Sequence, residues 1–204
     1  QAVDWQGEVI DSFEIRKPQE NFTIVVLPDT QLYSRTWPEI FDCQTEWIVN
    51  NVLEWNIAFV THEGDIVDDG KSDLQWQRAQ HSMRILDNKV PYGFCCGNHD
   101  TTVGGSSGEA DLMSQYFPSG YYESFDYWGG SYWDDKNNYQ LISACGVDLL
   151  MLHVEYNPME NVLDWASSVL DNYPDRYVIL TTHSFLEPDG SRTPPGEKIW
   201  DRLV

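Results

Sequence analysis

Apolar runs and helix-like spacings alternate through the first half of the chain. Residues 22–27 form a β-branched, apolar run that stops at a proline, and residues 57–60 and 90–96 form similar runs. Between these runs, residues 39–55 and 73–87 carry apolar side chains at roughly helical spacing. The short runs predict buried strands and the longer segments predict helices. This alternation predicts right-handed crossovers and a parallel sheet.

The second half of the chain begins with a stretch of different character. Residues 101–138 are rich in glycine, serine and aromatic residues and show no period, so we predict a long functional loop there. Cys145-Gly146 separates two apolar runs and predicts a hairpin turn. The elements predicted after this loop are strands at 139–144 and 147–154, a helix at 160–172, a strand at 177–180 and a helix at 196–204.

The length and charge of the chain narrow the possible classes of function. Its 204 residues fit a single domain, which we place at residues 22–204 after a polar lead-in at residues 1–21. The 33 acidic and 12 basic residues give a net charge of −21, which excludes a non-specific binder of duplex nucleic acid. No apolar stretch approaches the length of a membrane span, so we expect no membrane partner. Such an acidic protein suits an extracellular or periplasmic location.

The four cysteines do not indicate a zinc site. Cys43, Cys95, Cys96 and Cys145 show no Cys-x-x-Cys spacing. Cys95 and Cys96 are neighbours in a predicted strand, so their side chains should point to opposite faces and not bond to each other. We interpret all four as ordinary thiols.

Residues with metal-ligand side chains follow four of the predicted strands, at the point where each strand ends. They form the clusters Asp29-Thr30-Gln31, Gly64-Asp65-Ile66-Val67-Asp68-Asp69, Gly97-Asn98-His99-Asp100 and Thr182-His183. Because a parallel sheet gathers such strand ends at one edge, we expect these side chains to converge. Converging carboxylates, amides and imidazoles would repel or stay unsatisfied unless cations held them together. The sequence therefore predicts a metal-dependent hydrolase of the two-metal kind.

In this order and at these spacings, the four clusters resemble the motifs of the calcineurin-like metallophosphoesterase superfamily. The resemblance covers about residues 22–204. It implies an α/β fold, a four-layered α/β/β/α sandwich with two divalent metal ions at the strand ends. It also implies hydrolysis of a small phosphomonoester or phosphodiester by a hydroxide held between the metals, which is a strong nucleophile near neutral pH.

The same resemblance assigns roles to individual residues. Asp29 and Gln31 would bind the first metal, and Asp65 would bridge both metals. Asn98 and His183 would bind the second metal. The catalytic residues would be His99, which would lie beside the substrate, and Asp68, whose carboxylate would orient the His99 ring.

Two departures from the superfamily's motifs change the expected chemistry, one at Gln31 and the other at the adjacent residues Asp68 and Asp69. Gln31 stands where the superfamily usually has histidine, which favours Mn²⁺ or Mg²⁺ while leaving iron or zinc possible. Asp68 stands where purple acid phosphatases carry tyrosine, so we expect no charge-transfer colour. Asp69 replaces the arginine of the phosphoprotein phosphatases, which removes a phosphate-binding cation and argues against a specialised Ser/Thr phosphatase.

A third departure concerns the end of the chain. The superfamily's closing Gly-His-x-His motif is absent, and the chain stops at Val204, about where the strand carrying that motif would start. We therefore expect a C-terminally truncated domain whose missing remainder supplies one further ligand to each metal. The other interpretation is an incomplete site.

Two questions stay open in the sequence. Tyr127, Trp128, Tyr132 and Trp133 belong to an aromatic cluster. The cluster is either a loop packed by its own rings, or a lid over the metals or platform for the substrate's leaving group, such as a sugar or nucleoside. The alternatives to a phosphoesterase are a non-catalytic module that holds a glycan or other ligand, and a hydrolase of non-phosphate esters. His62 and its neighbour Glu63 are expected either to lie on the surface at the strand end or to support the metal ligands, rather than to bind metal. His153 is expected in the core and His81 on a helix surface, and neither is expected to take part in the site.

Overall fold

The strands of the computed structural model, which describes residues 21–102 and 111–204, form two sheets. The first sheet is parallel, in the order β1 (Thr23–Leu27), β2 (Ile57–His62), β3 (Tyr92–Phe94). The second sheet has the order β4 (Trp128–Tyr132), β5 (Asn137–Ala144), β6 (Val147–Val154), β7 (Tyr177–Thr182). Its last two strands are parallel and the others antiparallel. Apart from Asn21, the predicted lead-in lies outside the described residues.

Helices cover the outer face of each sheet. They are α1 (Gln31–Thr36), α2 (Pro38–Asn51), α3 (Asp73–Arg84), α4 (Asp111–Tyr116), α5 (Ser119–Tyr122), α6 (Glu160–Asn172) and α7 (Pro194–Leu203). The buried faces of α2 and α3 share one core with the first sheet, and α6 and α7 share another with the second sheet. Among the described residues, no helix combines the length and apolar character that crossing a bilayer requires.

Side chains of β6 alternate between the two faces of the second sheet, as the strand period requires. Leu150 and Leu152 pack in the core that contains α6. Leu149 and Met151 join Phe59 of β2 in a third cluster between the sheets. The layers therefore run helix, sheet, sheet, helix, and the predicted four-layered α/β/β/α fold is confirmed.

The hairpin turn also forms as predicted. Cys145 and Gly146 have φ angles of 51° and 81°, and the flanking strands pair in register from Ala144 and Val147 onward. Two positive φ angles suit a tight hairpin because their twist matches that of the strands. The four cysteines are free thiols, with Cys95 and Cys96 buried.

The prediction of one irregular loop over residues 101–138 is wrong for residues 111–132. This part contains the short helices α4 and α5 and the edge strand β4. Residues 103–110 lie outside the described part of the chain. The ring of Tyr122 stacks on Trp128 at 4.9 Å and meets Phe94 of β3 at 5.5 Å. Contacts between rings, rather than a local sequence period, therefore hold this segment.

His153 is the core histidine that its strand position predicts. The ring is fully buried, and Nε2 lies 2.9 Å from Thr61 Oγ1. Burial, followed by the nearby His62, lowers the pKa of His153 to about 3. Because the unfolded chain takes up the proton near pH 6.5 and the folded chain does not, stability is lost as pH falls from 6.5 towards 3.

We predict that His153→Gln makes the protein less sensitive to acid. Between pH 7 and pH 5 the variant should lose roughly 2 kcal/mol less unfolding free energy than the wild type, since one proton uptake is removed. Urea unfolding at both pH values, with chelator present, measures the difference. His81→Gln on the exposed surface of α3 is the matched control. Equal pH sensitivity in wild type and His153→Gln would contradict the prediction.

Candidate metal centre

The register of the strands brings the predicted ligands to one edge of the molecule. In the first sheet Leu27 pairs with His62, and His62 with Phe94, so the three loops that follow leave the sheet at the same level. In the second sheet, Thr182 at the end of β7 pairs with Val154. The sheets are joined just below this edge, because Thr61 Oγ1 lies 3.0 Å from Thr181 Oγ1.

Asp65, Asn98 and His183 meet at this edge. His183 Nε2 lies 3.1 Å from Asn98 Oδ1 and 3.3 Å from Asp65 Oδ2. The other ring nitrogen, Nδ1, donates to the carbonyl oxygen of Glu63 at 3.0 Å. A backbone acceptor at Nδ1 is the arrangement that orients a metal-binding histidine with Nε2 towards the ion.

The protonation of His183 reflects the negative charge around it. Burial lowers the pKa of His183, but the hydrogen bond to Asp65 and the charges of Asp65 and Asp29 outweigh burial and raise the pKa to about 9. The protonated ring therefore offsets part of the negative charge of Asp65 and Asp29. A metal ion bound by Nε2 would displace that proton, because only the neutral ring can be a ligand.

Glycines on two loops make room for the Asp65 carboxylate. Gly64 and Asp65 both have positive φ angles, 94° and 49°, which turn the chain sharply after β2. A Cβ atom at Gly97 would lie 2.2 Å from both the Asp65 backbone nitrogen and its Oδ1. Asp100 is fully buried and joins the two loops, since its oxygens accept from Val67 N at 3.0 Å and Gly97 N at 2.8 Å.

Asp29 and Gln31 stand at the outer side of the same edge. The Asp29 side chain is 52% exposed, and its Oδ1 lies 3.8 Å from His183 Nδ1. Gln31 Oε1 is buried and lacks a hydrogen-bond partner in the described part of the protein. A buried amide oxygen without a partner is costly unless a cation completes it, so the donor set fits a hard divalent ion.

Histidine, cysteine, aspartate and glutamate side chains do not by themselves make up a complete metal site in the described residues. Within residues 21–102 and 111–204, no three histidine, cysteine, aspartate or glutamate side chains are grouped so as to hold a metal ion. Two of the predicted ligands, Gln31 and Asn98, are amides and do not belong to those residue types. The structure thus brings Asp65, Asn98 and His183 together directly, and places Asp29 at the border of this group.

His99 is held beside the cluster by the main chain. His99 N donates to Asp65 Oδ1 at 2.9 Å, and the ring Nδ1 lies 2.9 Å from the carbonyl oxygen of Asp68. The carboxylate of Asp68, which was expected to orient the ring, is 3.9 Å from Nδ1. The hydrogen bond to the Asp68 carbonyl, together with the charges of Asp65 and Asp68, outweighs burial and raises the pKa of His99.

A pocket of about 300 Å³ opens beside His99. Its walls are Asp68, Asp69, Gly70, Lys71, Asn98, His99, Thr101 and Thr102. Because Asn98 belongs to the ligand cluster, a group in this pocket would lie next to any bound metal. Its lining side chains carry both signs of charge, from Asp68, Asp69 and Lys71.

Sequence reasoning missed some residues of the site. The Asp68 carboxylate pairs with Arg35, whose Nη1 lies 2.7 Å from Oδ2, and no motif signalled this arginine. Glu63 contributes its backbone carbonyl, which no side-chain pattern can reveal. His62 was expected either on the surface or in support of the metal ligands, and its buried ring contacts Thr30 Oγ1 at 2.9 Å and Gly64 N at 3.2 Å.

The four aromatic residues considered as a lid pack largely against other rings. The ring pairs are Tyr127 with Phe125, Trp128 with Tyr122, Tyr132 with Trp165 and Trp133 with Tyr132. Trp133 is the most open of the four, at 41% exposure. This packing favours the interpretation of a segment held by its own rings, and a lid role stays a prediction.

Comparison with known proteins identifies the family of the chain. The sequence pattern of the calcineurin-like phosphoesterases (Metallophos) matches residues 22–204. The chain belongs to this family. Among curated proteins, this calcineurin-like chain is 41% identical over 197 residues to the uncharacterized protein YvnB of Bacillus subtilis strain 168. The match covers 96% of the chain and 15% of YvnB.

The fold of the chain is also found in a solved structure. The purple acid phosphatase PPD1 from yellow lupin (Lupinus luteus) seeds matches with a TM-score of 0.51 at 16% identity, over 90% of this calcineurin-like chain and 36% of the lupin chain. GAP50, the anchor in the inner membrane complex of Plasmodium, matches with a TM-score of 0.48 at 11% identity, over 88% of this chain and 60% of GAP50. The chain therefore spans only part of each of these proteins.

We predict that Gly97→Ala weakens metal binding by tenfold or more. The added methyl group would displace the Asp65 carboxylate, because it would come within 2.2 Å of Oδ1. Calorimetric titration with Mn²⁺ measures the affinity. Gly120→Ala is the matched control, since a Cβ atom at Gly120 meets nothing within 4 Å. Wild-type affinity in Gly97→Ala would show that Asp65 is not a ligand.

Proposed function

We propose that this chain is a metal-dependent phosphoric ester hydrolase, acting on a small phosphomonoester or phosphodiester. The observation that carries the proposal is the convergence of Asn98 and Asp65 on His183 Nε2, at 3.1 and 3.3 Å. The backbone of His99 is bonded to the same Asp65 carboxylate. Family membership supports the same reaction class. Assay of the protein with a panel of mono- and diesters, with Mn²⁺, Mg²⁺ or chelator, tests the proposal. Activity that is unchanged by chelator would overturn it.

The proposed cofactors are two divalent ions. Asp29 and Gln31 would hold one, Asn98 and His183 the other, and Asp65 would bridge them. Oxygen donors predominate in this set, which favours Mn²⁺ or Mg²⁺. Such ions, when bound, polarise a phosphoryl group and lower the pKa of water. The hydrogen bond from His183 Nδ1 to the carbonyl oxygen of Glu63 would keep Nε2 directed at the site when Nε2 gives up its proton to bind a metal ion.

His99 is the proposed proton donor. Its Nδ1 is engaged by the Asp68 carbonyl, so Nε2 is the nitrogen available to a substrate. The raised pKa of His99 favours the protonated ring, which can stabilise charge on the phosphoryl oxygens and protonate the leaving oxygen. The adjoining polar pocket is the proposed place of the leaving group.

A non-catalytic glycan-binding module is the weaker proposal. Such a module would present flat aromatic surfaces to solvent. Trp128 instead stacks on Tyr122 and Tyr132 stacks on Trp165, which leaves fewer ring faces for a ligand. Glycan binding without ester hydrolysis in the metal-loaded protein would favour the module.

We predict that His99→Ala lowers kcat by roughly 10²–10⁴ for an ester with a poor leaving group, the usual range for general acid–base catalysis. The loss should shrink for an activated aryl ester, because its leaving oxygen needs little protonation. Steady-state kinetics on both esters measure the difference. His81→Ala, on the surface of α3, controls for the loss of an imidazole. Equal losses on both esters would show that His99 acts only by binding phosphoryl oxygens.

We predict that Gln31→His shifts metal preference towards Zn²⁺. Imidazole is a softer ligand than an amide oxygen, and a neutral histidine leaves the ligand charge unchanged. Competition between Mn²⁺ and Zn²⁺, followed by calorimetry, measures the shift. Gln77→His on the exposed side of α3 is the control for an added imidazole. An unchanged preference would remove Gln31 from the ligand set.

A further inference from the structure

A phosphoric ester is anionic, yet the site is rich in carboxylates. Asp29, Asp65, Asp68 and Asp69 all lie on the loops that form the site. The position after Asp68 holds Asp69, another carboxylate, whose Oδ1 accepts from the backbone of Lys71. In the proposed site two divalent ions, His99 and Lys71 would supply part of the positive charge that binds a phosphoryl group, and a further cation beside Asp68 would add to it.

Arg35 brings a positive charge from a different element. It lies four residues after Gln31 in α1, so both side chains stand on the same face of that helix. The guanidinium reaches Asp68, with Nη1 2.7 Å from Oδ2. Asp68 in turn holds His99 through its carbonyl oxygen. Arg35 therefore lies beside Asp68, the residue that holds the predicted proton donor.

Several hydrogen bonds fix α1 on the loop after β2. The hydroxyl groups of Thr30 and Ser34 both donate to the carbonyl oxygen of Ile66, at 3.2 and 2.7 Å. Arg78 of α3 donates from Nη1 to the carbonyl oxygens of Ser34 and Arg35, at 3.1 and 2.7 Å. These contacts within the protein hold the backbone of Arg35 in place without any bound ligand.

The guanidinium keeps donors for a ligand. Its side chain is 50% exposed, and a guanidinium carries five N–H donors in a planar fork that matches phosphate oxygens. One nitrogen is engaged by Asp68, and Nε makes a long contact of 3.5 Å to Thr36 Oγ1. We propose that Arg35 is a substrate-binding residue that holds a non-bridging phosphoryl oxygen. This inference rests on the proposed phosphoesterase function.

A competing role for Arg35 is purely structural. The ion pair with Asp68 could act only as a tether that keeps the Asp68 carbonyl against His99. The two roles differ in what happens when Asp68 is changed. Asp68→Asn breaks the ion pair but leaves the arginine free to bind phosphate, whereas Arg35→Gln removes the phosphate donor itself.

The test measures binding of inorganic phosphate to the metal-loaded protein by calorimetry, and KM and kcat on a good ester. Arg35→Gln should weaken phosphate binding and raise KM by roughly tenfold or more, as expected for a charge-assisted hydrogen bond. Arg35→Lys keeps the positive charge but loses the planar pair of N–H donors, so its phosphate affinity should lie between those of the wild type and Arg35→Gln. Asp68→Asn should weaken phosphate binding less than Arg35→Gln does, because the arginine is still present. Arg202→Gln, which removes an exposed cation of α7, is the control.

The outcomes separate this inference from the proposed function. If Arg35→Gln and Asp68→Asn weaken phosphate binding equally and the double variant is no weaker, Arg35 is a tether and the inference is wrong. If the wild type hydrolyses esters and Arg35→Gln binds phosphate as Arg202→Gln does, the inference alone fails. If the wild type hydrolyses no ester, the proposed function fails, and loss of phosphate binding in Arg35→Gln still supports the anion site. Circular dichroism verifies that each variant is folded.

Discussion

The buried carboxylate of Asp65 is the constraint on which the site depends. It is 3% exposed, and a charge so far from water must be compensated by its neighbours. His99 N donates to one of its oxygens and the His183 ring faces the other. The absence of a side chain at Gly97 leaves the space. The residues on the loops around Asp65 therefore all accommodate its carboxylate. A cation that replaced the His183 proton would be held by the same Asp65 oxygen and the same ring nitrogen.

The sheets supply the rigidity that this arrangement needs. The parallel register of β1, β2 and β3 fixes where their loops leave the first sheet, and hydroxyl contacts between Thr61 and Thr181 fix the second sheet against it. Ligands on loops that leave rigid strands are held more closely than ligands on free loops. The short helix α1 is also fixed, because Thr30 and Ser34 bond to the carbonyl oxygen of Ile66. These bonds position Arg35 at the border of the site.

The strands and longer helices could be predicted because each carries its own pattern. The helix predicted at 160–172 has those bounds, and its buried face packs on β6. Residues 111–132 could not be predicted this way. Helices of six and four residues and a strand containing Gly129 and Gly130 are too short or too weakly patterned to show a period. Their order comes from ring contacts, some within the segment, as for Tyr122 and Trp128, and some with distant residues, as for Tyr132 and Trp165.

The sequence by itself determined the fold family, the order of the motifs and the types of donor at the strand ends. The type of donor atom depends only on the residue type, which the sequence gives directly. The end of a strand can be predicted where an apolar run stops. Only the tertiary structure decided which atoms meet. The Asp68 carbonyl rather than its carboxylate holds His99, and the carboxylate instead binds Arg35. These contacts join residues more than thirty positions apart, so they depend on the paths of loops, which no local pattern of residues specifies.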